Sequence, residues 1–324
     1  MSNAPGKSFG KGLSLPEIME MFPTEEAAGK WFESIVWANG RTCPHCGSCD
    51  TKESECETVT VPYHCRSCQK QFSVRKGTVM EGSPLPYRKW VLAIHLHMTS
   101  LKGVSSMKLH RDINVTQKTA WFMLQRIRET FRHGGGPELF DDPVEVDETF
   151  VGGLEANRHR KDRLNAGRGG VGKSTVAAVK DRETGKFLAK VVPDRKGETL
   201  RPFVEELTLF DTIVYTDGHA AHAGLDRLHG TVNHGVGECV RGMAHVNGVE
   251  GFRATLKRAI KGVYHKVSRK RLQGYVTDFA GRHEVREWDT IDQLEHVVGK
   301  MAGRRLRYDD LIAGNGLASG ARPF

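Results

Sequence analysis

The chain has 324 residues, is 38% hydrophobic and 27% charged, and carries 48 lysines and arginines against 39 acids for a formal net charge of +9. This composition describes a folded, basic protein of two or three domains with a polyanionic partner, and it excludes a disordered chain. The first twenty residues lack a signal-peptide core and no apolar run reaches 18 residues, which points to a soluble cytoplasmic protein with no membrane partner.

Residues 1–38 read as a loose start followed by two short helices. Ser14 can cap the first, with Pro16 in its opening turn and Ile18, Met19 and Met21 as apolar positions. Thr24 precedes the second, which places Glu25 and Glu26 in its first turn and Trp31, Phe32 and Ile35 on a buried stripe. Six of the seven cysteines then fall between Cys43 and Cys68. Cys43 and Cys46 are separated by 18 residues from Cys65 and Cys68. Two such CxxC pairs match a four-thiolate zinc site, so residues 39–80 are expected to form a zinc ribbon with structural zinc. Cys49, Cys56, His45 and His64 are spare, because a closed site takes four ligands.

Residues 81–133 carry three helical patterns: one from Pro86 with Trp90, Ile94 and Met98 on one side, one over VSSMKLHRDI, and one opening after Thr116. Their turn lies within Lys108 to Thr116, with Trp121, Leu124 and Ile127 facing inward. This is the pattern of a helix-turn-helix, which would present Gln117, Lys118 and Gln125 to a DNA groove.

Gly134, Gly135, Gly136 and Pro137 mark a linker. The segment 137–295 beyond it reads as three strands, helix, strand, helix, strand, helix, ahead of a loose tail over 296–324. Asp147 and Glu148 lie inside the first strand and Asp217 at the end of the fourth, with a short helix over AGLDRLHG and a strand over TVNH after it. The last helix opens near Val246 and carries Asn247, Glu250 and Lys257, which share a face at i, i+3 and i+10. After Glu250 no acid occurs before Asp278, while Arg253, Lys257, Arg258 and Lys261 follow one another. Asp147, Asp217 and Glu250, in that order, are laid out as a two-metal phosphoryl-transfer site for Mg²⁺ or Mn²⁺. The basic residues would hold a phosphodiester backbone.

The motifs VEVDETFVGG, GRGGVGKSTVAAV, VYTDGHAAH and HVNGVEGFRATLKRAIKGVYHKVS resemble the DDE-type insertion-sequence transposases of the IS-fifteen-ninety-five (ISXO-two-like) family, over roughly residues 24–285. The resemblance implies an N-terminal zinc ribbon and an α/β ribonuclease-H-like catalytic domain, and with the helix-turn-helix pattern between them the chain is expected to be a multidomain α+β protein. It implies Asp147 and Asp217 as the first two catalytic acids and either Glu or Asn as the third. Glu250 and Asn247 both occupy the third region, and the spacing from Glu250 to Lys257 favours Glu250. The activity implied is Mg-dependent strand cleavage and transfer, with a catalytically inactive DNA-binding regulator as the alternative. The partners implied are double-stranded DNA (terminal inverted repeats and target) and, in the DNA complex, further copies of the chain, placing the protein at the nucleoid.

Gly167 to Ser174 matches a phosphate-binding loop, which needs a helix directly after it. STVAAV is β-branched instead, so Lys173 is expected to touch DNA backbone. His159, His219, His222, His234 and His245 show no ligand spacing and read as ordinary polar residues, and Cys239 as a small buried hydrophobe.

Overall fold

The structure, a computed structural model, describes residues 10–54, 61–132, 139–153, 159–163, 170, 172–232, 245–314 and 316. The chain divides into two units, one of residues 1–131 with 285–313 and one of residues 132–284 with 314–324.

The first unit opens with α1 (Leu15–Met21) and α2 (Glu25–Val36). Ser14 and Glu17 form a reciprocal capping box and Thr24 caps α2 through the Ala27 amide. The ribbon strands β1 (Thr51–Glu53), β2 (Tyr63–Cys65) and β3 (Gln71–Phe72) make an antiparallel sheet. Its small core is the ring cluster of Trp37, Tyr63 and Phe72, tied to α2 by the Tyr63 hydroxyl, which donates to Glu33 at 2.7 Å. The helices α3 (Tyr87–Thr99), α4 (Ser106–Asp112) and α5 (Gln117–Glu129) follow. Asn114 turns the chain between the last two at φ +50°, and Thr116 caps α5.

The expected boundary at 295 is not where the chain divides. α9 (Thr290–Gly299) packs on α2 and α3, and Val285, Leu294, Val297 and Val298 join Phe32, Trp90, Ile94 and Leu124 in one core. Leu294, Val297 and Val298 form an apolar stripe at helical spacing, and such a stripe must be covered. α10 (Tyr308–Ile312) follows in the same unit.

The second unit is built on a five-stranded sheet of order β6-β5-β4-β7-β8, made of β4 (Val144–Val151), β5 (Ser174–Asp181), β6 (Phe187–Val192), β7 (Ile213–Asp217) and β8 (Leu228–Val232). β4, β5 and β6 run antiparallel in sequence, whereas β7 pairs parallel to β4 and β8 parallel to β7. This is the ribonuclease-H-like arrangement. α6 (Gly197–Glu205) covers one face, with Leu200, Phe203 and Val204 against Val144, Val146, Val179 and Val214. α7 (Asn247–Ala259) and α8 (Arg269–Glu284) cover the other, with Val249, Phe252, Leu256, Val276 and Phe279 against Val176, Ala178 and Phe187. A five-residue π-helical turn, Ile260–Tyr264, joins the end of α7.

The expected helix over AGLDRLHG is absent. A single 3₁₀ turn, Ala220–His222, comes earlier, Gly224 breaks the chain direction at φ +80°, and β8 begins already at Leu228. Pairing with the open edge of β7 satisfies five residues of backbone, which outweighs a weak local helical preference.

Candidate active site and metal centres

Local turns build the zinc site. The Cys43 carbonyl accepts from the Gly47 amide at 2.8 Å, and the Cys65 carbonyl from the Gln69 amide at 2.9 Å. Gly47 and Gln69 sit at φ +77° and +58°, so each CxxC folds into a tight knuckle. The Cys43 and Cys68 sulfurs stand 3.6 Å apart, as do those of Cys46 and Cys65, and all four lie within 4.8 Å of one another. A tetrahedron with Zn–S bonds of about 2.3 Å has edges of about 3.8 Å, so the four thiolates fit one zinc ion. Cys49, His45 and His64 stay outside the cluster; His45 contributes only its backbone N–H, 3.4 Å from the Cys43 sulfur. Cys56 lies outside the described residues.

The acidic site follows from strand alternation. On β4 the side chains alternate, so Glu145 and Asp147 face α7 while Val144, Val146 and Glu148 face the α6 side. Parallel pairing of Val146 with Thr216 brings Asp217, the last residue of β7, next to Asp147. Asp147 is buried, and burial pushes its carboxyl up to about 6 against the pull of Arg253, with Asp217 and Glu148 raising it further. Carboxylates gathered this way favour either a proton or a cation, and oxygen donors of this type suit Mg²⁺ or Mn²⁺.

Glu250 of α7 joins through Arg253. Arg253 donates from Nη1 to Asp147 Oδ2 at 3.0 Å and from Nη2 to Glu250 Oε1 at 3.3 Å. Asn247 is exposed at the first position of α7. The start of this helix is pinned by Glu145, whose Oε2 accepts from the Gly248 and Val249 amides at 2.7 and 3.2 Å. Arg182 holds the other oxygen of Glu145 at 3.2 Å. A Cβ at position 248 would come within 2.9 Å of Glu145 Oε2 and 2.7 Å of Lys180 Nζ, which explains the glycine.

The basic residues collect on this same helix and on the π-helical turn that continues it. Lys257, Arg258 and Lys261 are exposed. Burial of its stem, then Arg253 and Lys173, hold Lys257 below the usual lysine range, with Asp147 pulling the other way. Lys173 therefore lies close to Lys257, and it also packs beside Gly152, where a Cβ would be 3.0 Å from its Cγ. β5 starts at Ser174, directly after Lys173, so the phosphate-loop pattern lacks its helix. Residues 164–169 and 171 of that pattern lie outside the described residues.

In the first unit, Gln117 and Lys118 are exposed at the start of α5. Gln117 donates to Ser106 Oγ at 2.8 Å and the Lys118 ammonium lies 4.6 Å from the Tyr308 ring centre. Gln125 does not face a groove: it is 5% exposed, within a half of α5 where Arg126, Ile127 and Arg128 are also enclosed.

The pairing of His222 with Glu148 escaped the sequence reading. His222, expected to be an ordinary polar residue, is fully buried, and its Nε2 stands 2.6 Å from Glu148 Oε1. With Asp217 these two form a second group of close ligand atoms, all within 4.8 Å. The one available signal was the acid pair at 147 and 148, which strand alternation sends to opposite faces. His159 and His219 each accept a backbone amide in a local turn, and His245 lies 3.1 Å from Glu145. His234 and Cys239 are outside the described residues.

Residues 139–284 match the ISXO2-like transposase domain, and residues 23–71 match the transposase zinc-ribbon domain. A relative from Halobacterium salinarum, the uncharacterized protein in transposable element ISH50, is 31% identical over 281 residues, spanning 82% of this chain and 93% of its own length. A ribbon of four clustered cysteines and a ribonuclease-H-like sheet with acids on its central strand and that strand's parallel neighbour are thus joined in one chain, and that chain belongs to the ISXO2-like transposase family.

Proposed function

We propose that the protein is the transposase of an insertion sequence, binding the element's terminal repeats, cutting phosphodiesters at its ends and transferring the freed strands to target DNA. The observation that carries this reading is the parallel pairing of β4 with β7, which sets Asp147 beside Asp217 under a helix bearing Glu250, Arg253 and Lys257. Asp147 and Asp217, with Glu250 as third member, are the residues that would hold divalent cations. Bound Mg²⁺ or Mn²⁺ would activate the attacking oxygen and stabilise the leaving one.

The chain's own residues position the DNA. Lys257 sits in a field of cations that a phosphate would relieve, and Arg258, Lys261 and Lys173 extend the basic surface beside it. Arg253, paired here with Asp147 and Glu250, would be within reach to pair with a phosphate instead. Glu145 fixes the start of α7 and so the approach of Glu250. The ribbon and the helix-turn-helix, through Gln117 and Lys118, would select the terminal repeats. Further copies of the chain would serve the second end of the element.

The test is cleavage of a supercoiled plasmid carrying the matching element ends. Asp147→Asn and Asp217→Asn should each abolish Mg²⁺-dependent cleavage and leave end binding close to wild type. Cleavage at a near wild-type rate in either variant would remove the acids from the mechanism.

A further inference from the structure

Glu148 and His222 lie on the α6 side of β4, the side away from the Arg253 bridge, and Asp217 reaches them from the end of β7. The first two are sealed from solvent: the side chain of Glu148 is 1% exposed and that of His222 0%. Although Glu148 Oε1 and His222 Nε2 are 2.6 Å apart, their approach is out of line for a hydrogen bond, and both atoms are left without one. A buried carboxylate oxygen and a buried imidazole nitrogen in this state are costly unless a third body satisfies both. Asp217 supplies a ligand atom within 4.8 Å of each. It is anchored by its Oδ1, which accepts from the His219 amide at 3.2 Å. Arg195 Nε lies 3.8 Å from Oε2 of Glu148, while Oε1 faces the histidine.

We propose that Glu148, Asp217 and His222 form a divalent-cation site of mixed oxygen and nitrogen donors, taking a first-row transition ion such as Mn²⁺ in preference to Mg²⁺. Imidazole nitrogen suits transition ions, whereas Mg²⁺ favours oxygen alone and gives up its waters reluctantly. The site shares Asp217 with the proposed catalytic acids, but its occupancy does not require strand cleavage.

The experiment is Mn²⁺ titration of the zinc-loaded full-length chain without DNA, followed by electron spin resonance. Nitrogen coupling is read by spin-echo modulation in the presence of excess Mg²⁺. Wild-type protein should show imidazole nitrogen coupled to bound Mn²⁺, and Asp147→Asn, which disables the other side, should keep it. His222→Gln should lose the coupling, and Glu148→Gln should weaken Mn²⁺ binding at least about tenfold. Bound Mn²⁺ with oxygen ligands only in the wild type, or nitrogen coupling that survives His222→Gln, would overturn the proposal. The wild-type measurement needs no substitution to fold. Because it needs no cleavage either, failure of the plasmid assay would leave it intact.

Discussion

Arg253 Nη1 lies 3.0 Å from Asp147 Oδ2, so a guanidinium already neutralises one of the acids proposed to hold a catalytic cation. The same residue reaches Glu250 at 3.3 Å, and with about a third of its side chain exposed it can swing away. Arg253 is the counter-ion of both acids, and a metal ion bound there would have to compete with it. Arg253→Gln should therefore raise the affinity of the DNA-free protein for Mn²⁺ several-fold, on the order of 1 kcal/mol for so accessible a pair. It should also slow cleavage, because the group that would take up a phosphate is gone. Unchanged Mn²⁺ affinity in a calorimetric titration would show that the pair does not compete.

Asp147 gives a stability signature. Its folded value of about 6 exceeds the ordinary 3.8, so between these the native chain holds a proton that the unfolded chain has released. Stability contributed by this group is present below about pH 4 and lost as the pH rises through about 6. In Mg²⁺-free buffer, Asp147→Asn should melt higher than wild type above pH 6, by roughly 2–6 °C. The gap should shrink toward pH 4, and saturating Mg²⁺ should narrow it at pH 7. A gap that widens on acidification would contradict the assignment of the shift to burial.

The third member of the proposed catalytic acids can be read from two variants. Glu250 approaches Asp147 through Arg253, whereas Asn247 is exposed at the helix start. Glu250→Gln should accordingly reduce cleavage far more than Asn247→Ala, by a factor of about a hundred or more against less than about ten. The reverse order in a single-turnover assay would give the role to Asn247.

Zinc should be present at one equivalent per chain in freshly purified, reduced protein. Among the described residues the ribbon's core is small, the Trp37, Tyr63 and Phe72 rings beside the cysteines, so its folding free energy should come largely from bound metal. Cys43→Ser or Cys65→Ser should release zinc and weaken specific end binding, while Cys49→Ser, outside the cluster, should do neither. Zinc retained in Cys65→Ser would contradict the ligand set.

Lys173 separates a DNA contact from a nucleotide grip. Lys173→Ala should weaken DNA binding modestly and lower the slope of log affinity against log salt by roughly one unit. No nucleotide should be required, because a strand begins at Ser174 where a phosphate-binding helix would start. Micromolar nucleotide binding lost in this variant would reverse the reading.

The sequence by itself determined the features that are local or periodic. The CxxC pairs specify the zinc cluster because each knuckle closes within five residues, and caps at Ser14, Thr24 and Thr116 mark helix starts because the side chain bonds its own next turn. Alternation along β4 and the strand-end position of Asp217 were likewise legible, since a strand repeats every two residues. Tertiary structure alone decided what stands opposite each face. It put His222 against Glu148, 74 positions earlier in the chain, and Arg253 between Asp147 and Glu250. It also returned α9 to the N-terminal unit, enclosed Gln125, and drew Leu228 into the sheet edge rather than a helix. A periodic pattern says which side of an element must be covered or solvated, and it carries no record of the distant segment that does the covering.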